Sequence, residues 1–159
     1  MATYLSVQAF TGYLANPVAQ LWVASVQGSD QLVGYTLTFL RETVDPAVNA
    51  LLSRRPSAEL SKCYVRQPYH GSGLAKALLR CAIVGATQAG MAALWLGVNQ
   101  TNARAQRFYA KLGFERIGAR QFPVGALVLD DYVMCLALDP SGNSPGTQPD
   151  AVRAPVTPT

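Results

Sequence analysis

The stretch from Cys63 to Leu79, CYVRQPYHGSGLAKALL, decides the fold, because an apolar strand runs through a glycine-rich turn directly into a helix. Gly71 and Gly73 allow the backbone to come close to a ligand. The new helix adds unpaired N–H groups and the positive end of its dipole. Together these features predict an anion site suited to a pyrophosphate, although a plain helix start with flexible glycines has the same pattern.

Two common phosphate-binding motifs do not fit this turn. A Walker loop needs Gly-Lys followed by Ser or Thr after four spaced positions. A dinucleotide fingerprint needs a third Gly or Ala where Lys76 stands. The turn therefore predicts an anion site of another kind.

Outward from this stretch the chain alternates between predicted strands and helices. Gly28-Ser29-Asp30 provides a turn between two apolar runs, which predicts an antiparallel hairpin. The order of elements predicts an α/β domain with a mixed central sheet and helices on both faces. We expect strands at 21–27, 31–40, 59–65, 93–98, 115–119 and 132–138, and helices at 4–14, 71–89 and 102–112, with one short helix in the loop 42–57.

Length and composition indicate one domain over residues 1–138. The chain has 159 residues, of which 50% are hydrophobic, enough for one core. Residues 139–159 hold five of the ten prolines and few large apolar side chains, which predicts a disordered tail. No run matches a bilayer span, and the first residues lack the order of a signal peptide, so we expect a cytoplasmic protein without membrane contact.

Charge and cysteine usage narrow the function only slightly. The net charge of +4 is compatible with an anionic ligand, but the basic residues are dispersed, which speaks against nucleic acid as a partner. Cys63, Cys81 and Cys135 form no CxxC pair and are odd in number, so they predict buried thiols. No metal site is predicted.

A second motif lies from Leu94 to Phe114, LWLGVNQTNARAQRFYAKLGF. With the glycine-rich turn before it, the chain resembles the GNAT N-acetyltransferase superfamily over roughly residues 21 to 138. Its closing pattern of Phe122, Gly125, Asp131 and Met134 resembles the end of the polyamine-acetyltransferase-like members. The family's first motif is Arg or Gln, two residues, Gly, one residue, then Gly or Ala, with His70 in the first place here. The matching positions are His70, Gly73 and Ala75 in the first motif, and Asn102, Ala105, Phe108, Tyr109, Leu112, Gly113 and Phe114 in the second.

The resemblance implies that acetyl-CoA is bound as co-substrate and that its acetyl group passes to a primary amine by direct attack in a ternary complex. The amine belongs to a small molecule or a protein, and the reaction needs no metal. The residues implied in binding acetyl-CoA are Tyr64, Val65, His70, Gly71, Ser72, Gly73, Leu74, Ala75, Asn102 and Tyr109.

Two catalytic side chains follow from the same resemblance. Tyr109 would protonate the departing thiolate, although an aromatic at this spacing is commonly core. Glu59 would collect the proton of the acceptor ammonium, although a solvated carboxylate at a strand end is an equal alternative. The N–H near Val65 would polarise the acetyl carbonyl. Asn102 also suits a helix N-cap.

The sequence departs from the family at its N-terminus, where there is no room for the usual first strand and helix. The shortening is explained equally by a natural variant, a truncated chain or a domain completed by another chain. Apolar surface that it exposes would favour a homodimer. Two other functions stay open: a non-catalytic acyl-CoA-binding module, and an acetylase acting on charged tRNA, the latter suggested only by the basic pI and Arg54-Arg55.

Overall fold

A computed structural model describes residues 7–141, with side chains from residue 10 onward. The predicted tail at 139–159 lies almost wholly outside this range, as does the start of the first predicted helix. The elements in chain order are α1 Val7–Ala15, β1 Ala19–Ser25, β2 Leu32–Phe39, α2 Pro46–Leu51, β3 Ser57–Val65, α3 Leu74–Gln88, β4 Ala93–Asn99, α4 Ala103–Lys111, β5 Glu115–Val124 and β6 Leu127–Ala137.

The strands form one mixed sheet in the order β1-β2-β3-β4-β6-β5. Neighbours are antiparallel except β3 and β4, which run parallel because α3 crosses over between them. These two strands pair only from Ser57 to Glu59 and from Ala93 to Trp95, and then part. The result is a gap between the C-terminal halves of β3 and β4, in the middle of the sheet.

Helices cover both faces of the sheet, as predicted. On the first face, which we call the cleft face, α3 and α4 bury a core built from Ala58, Leu60, Leu79, Ala82, Leu94, Leu96, Phe114 and Met134. On the opposite face, α2 packs Val48 against Trp95 and Val133. On that face α1 packs Phe10 on Tyr35 and Tyr13 on Phe39.

Local sequence explains the elements nearest the opposite face. The predicted hairpin is confirmed by antiparallel pairing of β1 with β2. The short helix in the loop 42–57 is also confirmed, and it begins where Asp45 caps it by accepting a hydrogen bond from the Ala47 N–H at 2.9 Å. Pro46 suits the first helical position because its missing N–H is not needed there. No helix within residues 7–141 is long and apolar enough to cross a membrane.

Three predictions need correction. The helix predicted from Gly71 begins at Leu74, because Gly73 is left-handed at φ 84° and the preceding residues Gln67–Tyr69 form a 3-10 turn. The last two strands are longer than predicted and form one hairpin, since Arg120 to Asp131 continue the pairing on either side of a turn at Gly125. The three cysteines are free thiols as predicted, but each is half-buried rather than buried.

Candidate active site

The two motif segments line one cleft of about 570 Å³ on the cleft face. It lies beside the gap between β3 and β4, with the start of α3 on one side and α4 on the other. The residues that line the cleft are Cys63, Val65, Tyr69, His70, Gly71, Gly73, Leu74, Ala75, Lys76, Asn102, Arg104, Ala105, Phe108 and Tyr109.

The N-terminus of α3 presents backbone donors to this cleft. Gly73 is the N-cap and has no side chain to accept from the first turn, while the Ser72 hydroxyl reaches the Leu74 N–H only at 3.4 Å. The space at Gly71 and Gly73 is open, because a Cβ added to either would meet nothing within 4 Å. Lys76 and Arg104 add positive charge to the lining. An anion of pyrophosphate size fits this arrangement.

His70 fastens the glycine-rich turn to the end of β3. Its Nε2 donates to the Val65 carbonyl oxygen at 2.7 Å, which requires the tautomer with a proton on Nε2. This bond holds the ring at the edge of the cleft. The side chain at the family's Arg or Gln position therefore supports the loop through the backbone.

The Val65 N–H points toward the gap. The Arg66 N–H donates to the Val33 carbonyl oxygen at 2.8 Å, so Arg66 bonds toward β2. Because successive residues of a strand direct their backbone groups to opposite edges, the Val65 N–H faces the side where β4 has parted from β3. A donor is thus available where the ladder stops.

Tyr109 lines the cleft from α4, half-buried with its ring against Phe114 at a centroid distance of 5.7 Å. Burial, with a smaller contribution from Cys63, raises the pKa of its phenol well above the ordinary 10.0. No group in the described part of the chain bonds its hydroxyl. Asn102 caps α4 by accepting from the Ala105 N–H at 3.1 Å, which fixes the helix that carries Tyr109.

Cys63 also lines the cleft, and burial raises the pKa of its thiol to about 11. A thiol with this pKa is almost wholly protonated near neutral pH. Burial at this point of the cleft therefore disfavours a thiolate on Cys63.

Glu59 lies on the opposite face, at the last point where β3 pairs with β4. It neighbours Phe39 on one side and Trp95 on the other, both of which pack with α1 or α2. Burial raises the pKa of its carboxyl, and Arg120 and Arg41 oppose that effect. Glu59 and Tyr109 are thus on different faces of the sheet, near the same gap.

A polar cluster that the sequence did not reveal surrounds Glu59's neighbour Trp95. The Arg120 guanidinium, on a side chain 9% exposed, lies over the Trp95 ring with its Cζ 5.2 Å from the centroid. Gly97 makes room for it, since a Cβ there would be 2.6 Å from Arg120 Nη2. Asp131 is buried beside it. The closing pattern of the family resemblance includes Asp131, but these residues come from three strands, so no single motif indicated the cluster.

The structure brings most of the predicted site residues together. Eight of them line the cleft: Val65, His70, Gly71, Gly73, Leu74, Ala75, Asn102 and Tyr109. Three do not. Tyr64 packs on Tyr35 at the opposite face, Ser72 turns its hydroxyl to the Tyr69 carbonyl, and Glu59 is placed as described above.

Comparison with known proteins identifies relatives of this chain. Residues 3–114 match the model of the acetyltransferase (GNAT) family. An uncharacterised N-acetyltransferase of Mycobacterium tuberculosis is 40% identical over 130 residues, covering 82% of this chain and 74% of the relative.

Solved structures share the fold. The ribosomal-protein-S18-alanine N-acetyltransferase of Escherichia coli superposes with a TM-score of 0.64 at 24% identity, covering 86% of this chain and 79% of the other. A putative acetyltransferase from Salmonella typhimurium, solved with its cofactor acetyl-CoA, gives a TM-score of 0.59 at 25% identity, covering 82% and 68%.

Proposed function

This chain belongs to the GNAT family of N-acetyltransferases, and from that premise we propose that it moves the acetyl group of acetyl-CoA to a primary amine by direct attack in a ternary complex. One observation carries the proposal. The cleft joins the open backbone at the start of α3, the half-buried phenol of Tyr109 and the strand end at Val65, and it adjoins the gap in the sheet. Each of these matches one requirement of the reaction.

Acetyl-CoA would supply an activated acyl group and an anionic handle. The amides at the start of α3, together with Lys76 and Arg104, would hold its pyrophosphate. The Val65 N–H would donate to the acetyl oxygen as charge develops there. This role needs only backbone, so it does not depend on the side chain at position 65.

Tyr109 would protonate the leaving sulfur. Its raised pKa keeps the phenol protonated throughout the neutral range, so the proton is always present. The same burial that raises the pKa of the Cys63 thiol to about 11 would also make a departing thiolate more basic than in water. Burial would thus raise the proton affinity of the leaving sulfur as well as that of the phenol that protonates it.

Glu59 would take the proton that the acceptor amine must lose. An alkyl ammonium with a pKa of about 10.4 is almost wholly protonated at neutral pH and has no lone pair for attack. Once Glu59 or a water bound to it removes that proton, nitrogen would bond to the acetyl carbon, the carbon–sulfur bond would break, and Tyr109 would donate its proton to sulfur. Nitrogen would then lose its second proton, which restores the Tyr109 phenol, and Glu59 would release the first proton to water. The amine would reach the gap from the face opposite the cleft.

A covalent acyl-enzyme on Cys63 is the competing route, and the site opposes it. Its thiol is held protonated by burial. The single histidine directs Nε2 to the Val65 carbonyl rather than to a thiol. Without a base to activate the sulfur, Cys63 would be a weak nucleophile.

The test is titration calorimetry with acetyl-CoA, followed by thiol release with a panel of amines. Binding with release supports the proposal, and we expect Tyr109→Phe to lower kcat about 100-fold, the usual scale of general-acid catalysis, without weakening binding. Tyr132→Phe, on β6, is the matched control. Binding without release by any amine would favour a non-catalytic module, and absence of binding would end the proposal.

A further inference from the structure

Two buried N–H donors on the opposite face have no acceptor within the described part of the chain. They are Nε of Arg120 and Nε1 of Trp95. A buried donor left without a partner is costly, and such groups in folded proteins usually serve a ligand or an ordered water. The two lie close together, because the guanidinium stacks over the Trp95 ring.

The charge of Arg120 is compensated, but its donors are largely unused. Asp45 accepts from Nη1 at a long 3.4 Å, and Asp131 stands 3.8 Å from Nη2, beyond hydrogen-bond range. Trp95 and Phe122 cover the guanidinium, with Phe122 at 4.8 Å from Cζ. Phe122 is 43% exposed, so its ring is the part of this cover that can turn aside.

Two hydrogen-bond acceptors, the carboxyl groups of Glu59 and Asp131, also lie near Arg120. Glu59 accepts no hydrogen bond from any described residue, and Asp131, 8% exposed, has Arg120 as its charged neighbour. Burial raises the pKa of both carboxyls, while Arg120 lowers it. The cluster thus contains two carboxyl groups, Glu59 and Asp131, that can accept further hydrogen bonds. It also contains two N–H groups, on Arg120 and Trp95, that can donate them.

This cluster is located where the acceptor must arrive. Glu59 and Trp95 are the last register pair before β3 and β4 separate, and Gly97, over which the guanidinium lies, is two residues further along β4. A molecule that reaches the gap from this face would lie beside the carboxylates, and it would meet the buried donors once the Phe122 ring has turned aside.

We propose that the acceptor is an amine with a carbonyl oxygen on the neighbouring carbon, the arrangement found in amino acids and at peptide N-termini. Its ammonium would face Glu59 and Asp131, and its carbonyl oxygen would accept from Arg120 Nε and Trp95 Nε1. This inference rests on the proposed acetyl transfer and specifies its substrate class.

A polyamine fits the cluster less well. It has no oxygen to accept from the two donors, so both N–H groups would stay buried without a partner when it is bound. The subtype that the sequence resemblance implied is therefore not the one we infer for this site.

The kinetic test compares two acceptors that differ in one group: alaninamide, which has the carbonyl, and isopropylamine, which lacks it. The two amines differ in basicity, which affects kcat/KM in every variant alike. The quantity to compare between wild type and each variant is therefore the kcat/KM for alaninamide divided by that for isopropylamine. We expect Trp95→Phe and Arg120→Gln to lower the ratio about tenfold each, the effect of one hydrogen bond to a buried group. Arg80→Gln, exposed on α3 at the other face, is the control.

A second readout does not need turnover. The chain has two tryptophans, and the indole N–H of Trp22 already donates to Gln20 Oε1 at 3.1 Å. In a ¹⁵N spectrum of the CoA-bound protein, alaninamide should move the Trp95 indole resonance downfield, and isopropylamine should not. Free alanine as a third ligand separates an amino acid from a peptide-like terminus. Arg120→Lys is a second variant that keeps the positive charge but lacks the Nε–H. It serves as the test if Arg120→Gln does not fold.

The outcomes separate the two proposals. No binding of acetyl-CoA would defeat the acetyltransferase itself. Acetyl transfer to isopropylamine or spermidine with an unchanged ratio in Trp95→Phe and Arg120→Lys would overturn only the substrate class. An unmoved Trp95 resonance at saturating alaninamide would overturn it too.

Discussion

The cleft face of the sheet builds its site from neighbouring residues, whereas the opposite face gathers its site from separate elements. On the cleft face, the lining comes from two stretches of the chain, residues 63–76 and 102–109. On the opposite face, the contributors come from five regions: Glu59 on β3, Trp95 and Gly97 on β4, Arg120 on β5, Asp131 on β6 and Asp45 before α2.

This difference bears on what each face can recognise. Backbone amides at a helix start bind an anion without depending on side-chain identity, so one cofactor suits many relatives. A cluster of buried charges depends on every member, because removing one leaves the others unpaired. We expect substitutions on the cleft face to change acetyl-CoA affinity, and substitutions on the opposite face to change the use of the amine.

The strongest test of the opposite face is Glu59→Gln, which should lower acetyl transfer about 100-fold at neutral pH if Glu59 is the base. The raised pKa of Glu59 favours its neutral form in the folded protein. Its contribution to stability is therefore full below the ordinary value of 4.5 and is lost as pH rises through the raised value. The Gln variant should melt at a higher temperature than wild type near neutral pH.

Exposed Glu115→Gln on β5 is the control for this pair of effects. Retained activity with a lower melting temperature in Glu59→Gln would assign Glu59 a structural role instead.

Gly97→Ala should break the opposite face and spare the cleft. The added methyl would lie 2.6 Å from Arg120 Nη2 and 3.0 Å from Asp131 Oδ2. Overpacking of this kind costs about 2 kcal/mol, so we expect kcat/KM for the amine to fall about 30-fold, with acetyl-CoA affinity within about twofold of wild type. Gly12→Ala in α1, where a Cβ meets nothing, is the control. Equal loss of acetyl-CoA affinity would mean that the two faces are not separable.

Gly73→Ala should weaken acetyl-CoA binding and leave the use of the amine unchanged. Gly73 has φ 84°, and a left-handed conformation costs an L-residue about 1–2 kcal/mol. The turn would relax away from its present form, so calorimetry should show acetyl-CoA binding about tenfold weaker, as that strain implies. The KM for the amine should not change. A variant that binds acetyl-CoA normally would show that the backbone at residue 73 is not part of the cradle.

His70→Ala is the mildest of these changes. It removes the bond from His70 Nε2 to the Val65 carbonyl, and a hydrogen bond of net value about 1 kcal/mol corresponds to about fivefold weaker acetyl-CoA binding. His70→Gln, whose amide can donate to the same oxygen, should restore most of the affinity. If both variants bind equally weakly, the ring contributes by contact with the ligand rather than by supporting the turn.

Sequence predicted the fold and the cleft because their signals are local. The glycine turn, the hairpin and the strand and helix of the second motif each lie within some twenty residues, where periodicity and turn chemistry are informative. His70 could be placed at the loop from its motif position. Its bond to Val65 could not, since that depends on how the 3-10 turn at Gln67–Tyr69 folds back.

The opposite face escaped prediction for a physical reason. The predicted strands ended at Ala119 and began again at Tyr132, so Arg120 and Asp131 fell in an apparent loop just beyond each end. In the structure they are cross-strand partners within the β5–β6 hairpin. A buried charged pair interrupts the apolar alternation by which strands are identified, so the residues that make this site are also those that concealed it. The predicted homodimer stays a prediction.

The separation of β3 from β4 affects how the substrates and products reach and leave the site. If the two substrates bind on opposite sides of the sheet, as proposed, neither would block the path of the other, and each product could leave by the side from which its parent entered. Inhibition by free CoA should then be relieved by raising acetyl-CoA but not by raising the amine. The sheet would separate the two substrates, and only the acetyl group would pass through the gap between β3 and β4.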